Sequence, residues 1–168
     1  MHRILFLIAL ILGMPALAAE PVPEYSMKAT YLYNFALYTE WPEDTGNTLN
    51  LCLLGGERFG GAINQIQGKL VNQRRLNVYQ VSGPKAVQGC QMVFIGEQES
   101  QYAQRMINSL ADTPVLTVTD GFVPLNSGVI VSMVVEERKI AFNINASAAR
   151  RAKLNISSKL LRLARNVY

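Results

Sequence analysis

Two kinds of residue in this 168-residue sequence have types and spacings that could do chemistry. Cys52 and Cys90 are the only thiols. Gly55, Gly56, Gly60 and Gly61 fall within seven residues of one another, in the stretch NLCLLGGERFGGAI at 50–63. A thiol can attack, ligate a metal or exchange disulfides. Paired glycines between an apolar run and a helix start let backbone N–H groups close on a phosphate.

The glycine loop fits neither phosphate fingerprint. A Rossmann loop needs G-x-G-x-x-G with an acid ~20 residues on. Here the pattern is G-G-x-x-x-G-G, and Arg74 and Arg75 stand where the acid should be. A P-loop needs G-x-x-x-x-G-K-[ST]. Gly56 and Gly61 have that gap, but Ala62 and Ile63 follow. A weaker chemistry survives. A loop that leaves a strand and enters a helix presents open N–H groups to an anion, and Arg58 adds charge. Gly55, Gly56, Arg58, Phe59, Gly60 and Gly61 are the candidate ligand-binding residues, for an anionic or nucleotide-like small molecule. The competing reading is a tight turn with close helix–sheet approach.

The amino terminus decides what the thiols can do. His2 and Arg3 precede ILFLIALILGM, an apolar run of signal-peptide length, and PALAAE supplies Ala16-x-Ala18. The expectation is a cleaved signal peptide at 1–18 and one exported, periplasmic domain at 19–168. The run is shorter than the ~20 residues of a membrane span, so the chain is not expected to be a transmembrane protein. The leader takes with it the only histidine. That excludes Ser-His-Asp and Cys-His catalysis and the usual zinc sites. No EF-hand spacing of acids appears. No catalytic residue, metal or cofactor is expected, and the chain reads as non-enzymatic. Export also argues against a nucleic-acid partner. Asp120-Gly121 reads as a turn, and Glu136-Glu137 as solvated acids at a hairpin tip.

Two cysteines in an exported chain suggest one disulfide, Cys52–Cys90. Register raises a difficulty. If their strands are parallel neighbours that start level, the thiols are offset by about four residues, roughly 13 Å. A bond needs Cα atoms within about 7 Å. Either the strands are staggered, or Cys90 belongs to the loop entering its strand, or the bond is strained or absent. A strained bond would be easily reduced and could sense redox state.

The elements that must position these residues follow from periodicity. Tyr25, Ala29, Leu32 and Ala36 recur at helical spacing, so 23–42 opens with a helix that Pro42 stops. Strands are expected at 48–55, 74–82, 90–97 and 114–120, with a short helix from Arg58 and a longer one carrying Tyr102, Met106 and Leu110. Residues 128–145 read as two strands joined at Glu136–Lys139, an antiparallel hairpin. Two helical pieces finish the chain, the second capped by Ser157. The expected fold is α/β: a three-layer sandwich of about six strands. Its sheet is mostly parallel and Rossmann- or flavodoxin-like, with helices on both faces and an antiparallel C-terminal hairpin.

Charge is uneven. Without Arg3 the chain has 15 Lys+Arg against 12 Asp+Glu, a net of +3. Residues 150–168 hold six cations and no acid, which leaves −3 for the rest. A basic tail can sit on an acidic partner or on anionic headgroups. It can also be a solvated helix face. Tyr33 and Trp41, with Arg150, Arg151, Lys153 and Arg162, are the candidate partner-binding residues, since aromatic residues favour interfaces.

The segments KATYLYNFALYTEWP, LCLLGGERFGG, GCQMVFIGE, VLTVTDGF and IAFNINASAARRAKLNISSKLLRLA, in that order, resemble the YfiR family of periplasmic regulators. They span nearly all of 25–167. The resemblance implies a protein that represses a YfiN-type inner-membrane diguanylate cyclase by binding its periplasmic sensor region. Cyclic di-GMP and biofilm formation would fall. It also implies a homodimer and redox control through cysteines. Cys52 and Cys90 match one family cysteine pair. A second pair, found in the last third of some members, has no counterpart here. Asn143 in FNIN stands where the family more often has Glu.

Overall fold

The computed structural model of the protein describes residues 23–42, 46–121 and 123–168; the expected leader, 1–18, lies outside the described residues. In chain order come α1 (Glu24–Leu37), β1 (Thr39–Glu40), β2 (Thr48–Leu54), β3 (Leu70–Val71), β4 (Arg74–Val81) and β5 (Met92–Ile95). Then follow α2 (Ser100–Leu110), β6 (Leu116–Asp120), β7 (Val131–Glu136), β8 (Lys139–Ile144), α3 (Ala146–Arg151), β9 (Asn155–Ile156), α4 (Ser158–Leu163) and β10 (Asn166–Val167). The short helix after the glycine loop is a 3-10 segment, Glu57–Gln65, broken at Gly60, where φ is 48° and ψ −131°.

The fold is α/β with a mostly parallel sheet, as expected, but the sheet has eight strands rather than about six. Their order is β10-β8-β7-β6-β5-β2-β4-β3. The extra two are edge strands of two residues each. β3 folds antiparallel onto β4 through Asn72 and Gln73, both at positive φ. β10 runs parallel to β8 and lies outside it, so the C-terminal hairpin is not the sheet edge. The hairpin itself forms where expected, turning at Glu137 and Arg138, again both at positive φ. Such mirror-image turns match the right-handed twist of the strands.

The five parallel strands β4-β2-β5-β6-β7 reproduce the flavodoxin order 2-1-3-4-5. Alternate residues feed two apolar layers. Leu49, Leu51, Leu53, Phe94 and Val118 pack with Leu32 and Phe35 of α1, Ala148 of α3 and Leu160 of α4. Cys52, Leu54, Val93 and Ile95 face the other way, onto Ala103, Met106 and Ile107 of α2. This is the expected three-layer arrangement. Leu32 and Phe35 are fully buried, worth about 1.5–3 kcal/mol each in transfer terms.

α1 ends at Leu37, five residues before Pro42. Thr39 and Glu40 leave it to pair with Ile156 and Asn155 in a separate β1–β9 ribbon. Ser157 caps α4 as expected: its Oγ accepts from the Leu160 N–H at 3.3 Å.

Candidate functional site

The stripe of α1 that faces the sheet carries one lysine. Lys28 is 2% exposed. Its Nζ donates to Asp120 Oδ2 at 2.8 Å and is also paired with Glu24 one turn back. Asp120 is the last residue of β6, and its Oδ2 also accepts from the Tyr25 hydroxyl at 3.2 Å. Burial by itself pulls the Lys28 ammonium's pKa down. The carboxylates of Asp120 and Glu24 overcome this, so the group titrates above the usual 10.5. Arg58 Nη1 donates to the Tyr25 hydroxyl at 3.3 Å, a contact that raises the guanidinium's pKa. Glu97 lies farther from it, at 3.9 Å.

Glu24, Lys28, Arg58, Glu97 and Asp120 line a groove of about 410 Å³ at the carboxyl ends of the strands, where open α/β sheets bind ligands. Of this network the sequence reading selected only Arg58. Lys28 had a signal: a cation three residues after Tyr25 and four before Leu32, inside an apolar stripe, needs a buried carboxylate. Asp120 had none, because Asp-Gly is also an ordinary turn.

The topological switch point lies between β2 and β5. The loops leaving these strands close on each other there. A Cβ on Gly96 would come within 2.4 Å of the Gly55 carbonyl oxygen. Gln98 Nε2 donates to that same oxygen at 2.9 Å. Gly55, at φ 69°, lies against the Gln98 and Glu99 side chains. Gly56 is buried against Leu53 and Gln80. Gly60 and Gly61 are open to solvent, Arg58 is exposed, and Phe59 turns into the core between Tyr25 and Phe94. Charge in the two loops also includes Glu57, Glu97 and Glu99.

Cys52 and Cys90 form a disulfide with Cα atoms 6.0 Å apart. The strand register alone does not align the cysteines: Leu51 pairs with Met92 and Cys52 with Val93, so Cys90 falls level with Leu49 and not with Cys52. Cys90 instead belongs to the turn before β5, where its N–H donates to the Val87 carbonyl. The turn folds over the α2 face, toward which Cys52 also points. Of the readings left open by register, the loop position resolves the offset.

The candidate partner-binding residues do not form one cluster of contacts. The Tyr33 hydroxyl donates to Leu70 O at 2.9 Å, and Trp41 Nε1 donates to Gln91 O at 3.1 Å. Both rings are half-buried against the α1 core. Arg150, Arg151, Lys153 and Arg162 are exposed on α3, α4 and the turn between them. Beside them Leu163 is 64% exposed. Lys153 sits at φ 57°, just past the end of α3.

A family model described as YfiR/HmsC-like matches residues 25–165. The chain belongs to the YfiR/HmsC-like family. The family is regulatory rather than catalytic, and membership supports a periplasmic role in cyclic di-GMP signalling. The YfiR/HmsC-like domain is also similar to solved structures. One is the ABC domain from Streptococcus pneumonia in complex with L-Trp, with TM-score 0.52, 9% identity and 73% of this chain covered. Another is a conserved domain protein from Vibrio cholerae O1 biovar eltor str. N16961, with TM-score 0.56, 9% identity and 86% covered. The matches span 56% and 60% of those chains. At such identity the likeness is one of fold alone. Among the described residues, no helix of this YfiR/HmsC-like chain is long and apolar enough to cross a membrane.

Proposed function

We propose that this protein represses an inner-membrane diguanylate cyclase by binding its periplasmic sensor region, so lowering cyclic di-GMP and biofilm formation. The observation that carries this reading is the family match over 25–165. The geometry supports a binding role. Five cations between Arg150 and Arg162 are exposed, with no acid among them and the apolar Leu163 beside them. Exposed cations with no acid among them suit contact with an acidic partner surface. The reading predicts that deleting the gene in its host raises cyclic di-GMP and that the purified cyclase sensor region binds the protein directly. Reversing Arg150, Arg151 and Arg162 to Glu weakens that binding. An unchanged cyclic di-GMP level with the cyclase present would overturn the reading. The homodimer implied by the resemblance belongs to the same proposal and is read by light scattering.

A second reading places an anionic small ligand at the glycine loop. Open space at Gly60 and Gly61 beside the exposed Arg58 supports it. Thermal stabilisation by phosphate or a nucleotide, lost in Arg58→Ala, is its test; no stabilisation at millimolar ligand removes it.

A further inference from the structure

The turn from Gly83 to Cys90 leads into β5, and the loop after α2 leads into β6. These strands are parallel, so both connections lie at their amino ends, across the sheet from the glycine loop. Gly83 and Gly89, at φ 88° and 80°, bound the turn, and the Cys52–Cys90 bond ties down its end.

Between this turn and the end of α2 lies a cavity of about 540 Å³, within the roughly 300–1,000 Å³ of small-molecule sites. Val87, Leu110 and Val115 supply apolar lining beside the Cys90 sulfur. Ser109 and Thr113 also line it. Their hydroxyl protons are already engaged: Ser109 Oγ donates to the Met106 carbonyl at 2.7 Å, and Thr113 Oγ1 to the Leu110 carbonyl at 2.8 Å. The α2 side of the cavity therefore offers a ligand no hydroxyl donor.

The opposite side does carry donors. Lys85 and Gln88 line the cavity and are exposed. Neither side chain has a hydrogen-bond or ion-pair partner among the described residues. Lys85 is the only charged residue of the described lining; Asp112, next to Thr113 in the chain, is not part of it. One unpaired cation at the edge of an apolar space is complementary to an alkyl chain that ends in an anion. The carboxyl end of α2 disfavours negative charge, so the anionic end belongs at Lys85 and the chain runs toward Leu110.

We propose that this cavity binds a medium-chain aliphatic carboxylate, its headgroup on the Lys85 ammonium and the Gln88 amide and its alkyl chain against Val87, Leu110 and Val115. The proposal rests neither on the cyclase reading nor on the glycine loop.

The experiment titrates the purified protein with butyrate, hexanoate and octanoate below their micellar concentrations, with octanol and octylamine as contrasts. Thermal shift and amide resonances are read. Octanoate raises the melting temperature and moves resonances within 85–90 and 109–115. Affinity climbs about two- to fourfold per added methylene, as burial of alkyl surface requires. Octanol and octylamine bind more weakly. Lys85→Gln alters an exposed, unpartnered side chain, so it folds. It weakens octanoate roughly fivefold, the size of one accessible ion pair, and the preference over octanol disappears. Ser109→Phe, at an exposed lining position, fills the space and weakens octanoate and octanol alike. Octylamine binding as tightly as octanoate would overturn the proposal. So would unaltered octanoate binding in Lys85→Gln, or resonance shifts confined to other parts of the chain.

Discussion

Lys28 Nζ lies 2.8 Å from each carboxylate oxygen of Asp120, joining positions 92 residues apart and tying α1 to the end of β6. Both side chains are nearly inaccessible, while the second carboxylate on Lys28, Glu24, is half-exposed. Removing one member of such a pair strands the other charge in a poorly solvated place. Asp120→Asn is expected to cost on the order of 3 kcal/mol in urea unfolding. Lys28→Met should cost a similar amount. The double variant, with neither charge left to bury alone, should recover most of that loss. Additive single costs would mean the two groups are not coupled.

The same pair sets a pH response. Lys28 titrates above 10.5 in the folded protein, because Asp120 and Glu24 outweigh its burial. The folded state then holds the proton more tightly than the unfolded chain does. Its contribution is complete below the unfolded lysine value and is lost as pH rises through the higher folded one. Tyr168 acts in the same direction, since burial raises its phenol. These two groups leave stability level from neutrality to about pH 10 and erode it beyond. Lys28→Met should flatten part of the alkaline loss. A profile parallel to wild type in denaturant unfolding would exclude Lys28 as a contributor.

The disulfide closes a separation of 38 residues. Chain entropy assigns roughly 4 kcal/mol to a loop of that length. Cys52→Ala/Cys90→Ala should lose stability of that order, and reductant should bring the wild type to the same value. The α2-side layer that Cys52, Val87 and Cys90 share should loosen first, read as faster amide exchange in β5 than in β8. Equal exchange in the two strands would count against a local effect.

Legibility in the sequence followed the length of each signal. β2 and β5 declare themselves through apolar runs, β4 and β6 through apolar residues alternating with polar ones, and the hairpin through its charged tip. β1, β3, β9 and β10 have two residues each, too few for any period to register. Their pairing is fixed by tertiary contacts: Glu40 with Asn155, Asn166 with Asn143. The cysteine pair was legible, but its geometry was not. Whether Cys90 lies in a strand or a turn depends on a backbone bend that apolar patterning does not encode. Asp120 looked like half of a turn, since its partner Lys28 lies far away in sequence.

The switch point supplies the final prediction. Gly96 has an ordinary φ of −66°, so backbone freedom is not why a glycine is needed there. Space is the reason: a Cβ would meet the Gly55 carbonyl oxygen at 2.4 Å. That atom is backbone, held on one side by β2 and on the other by the Gln98 side-chain amide. It cannot swing aside as a side chain would. Gly96→Ala should therefore cost about 1–3 kcal/mol, the usual range for forced overpacking. Gly61→Ala is the matched control, because its added Cβ meets nothing within 4 Å and its φ is not positive. It should fall within about 0.5 kcal/mol of wild type. Urea midpoints measure both. Equal effects would mean that the two loops do not pack against each other in solution. A large loss at Gly96 alone would place the tight contact between the β2 and β5 loops, with Gly60 and Gly61 left as the accessible part of the glycine run.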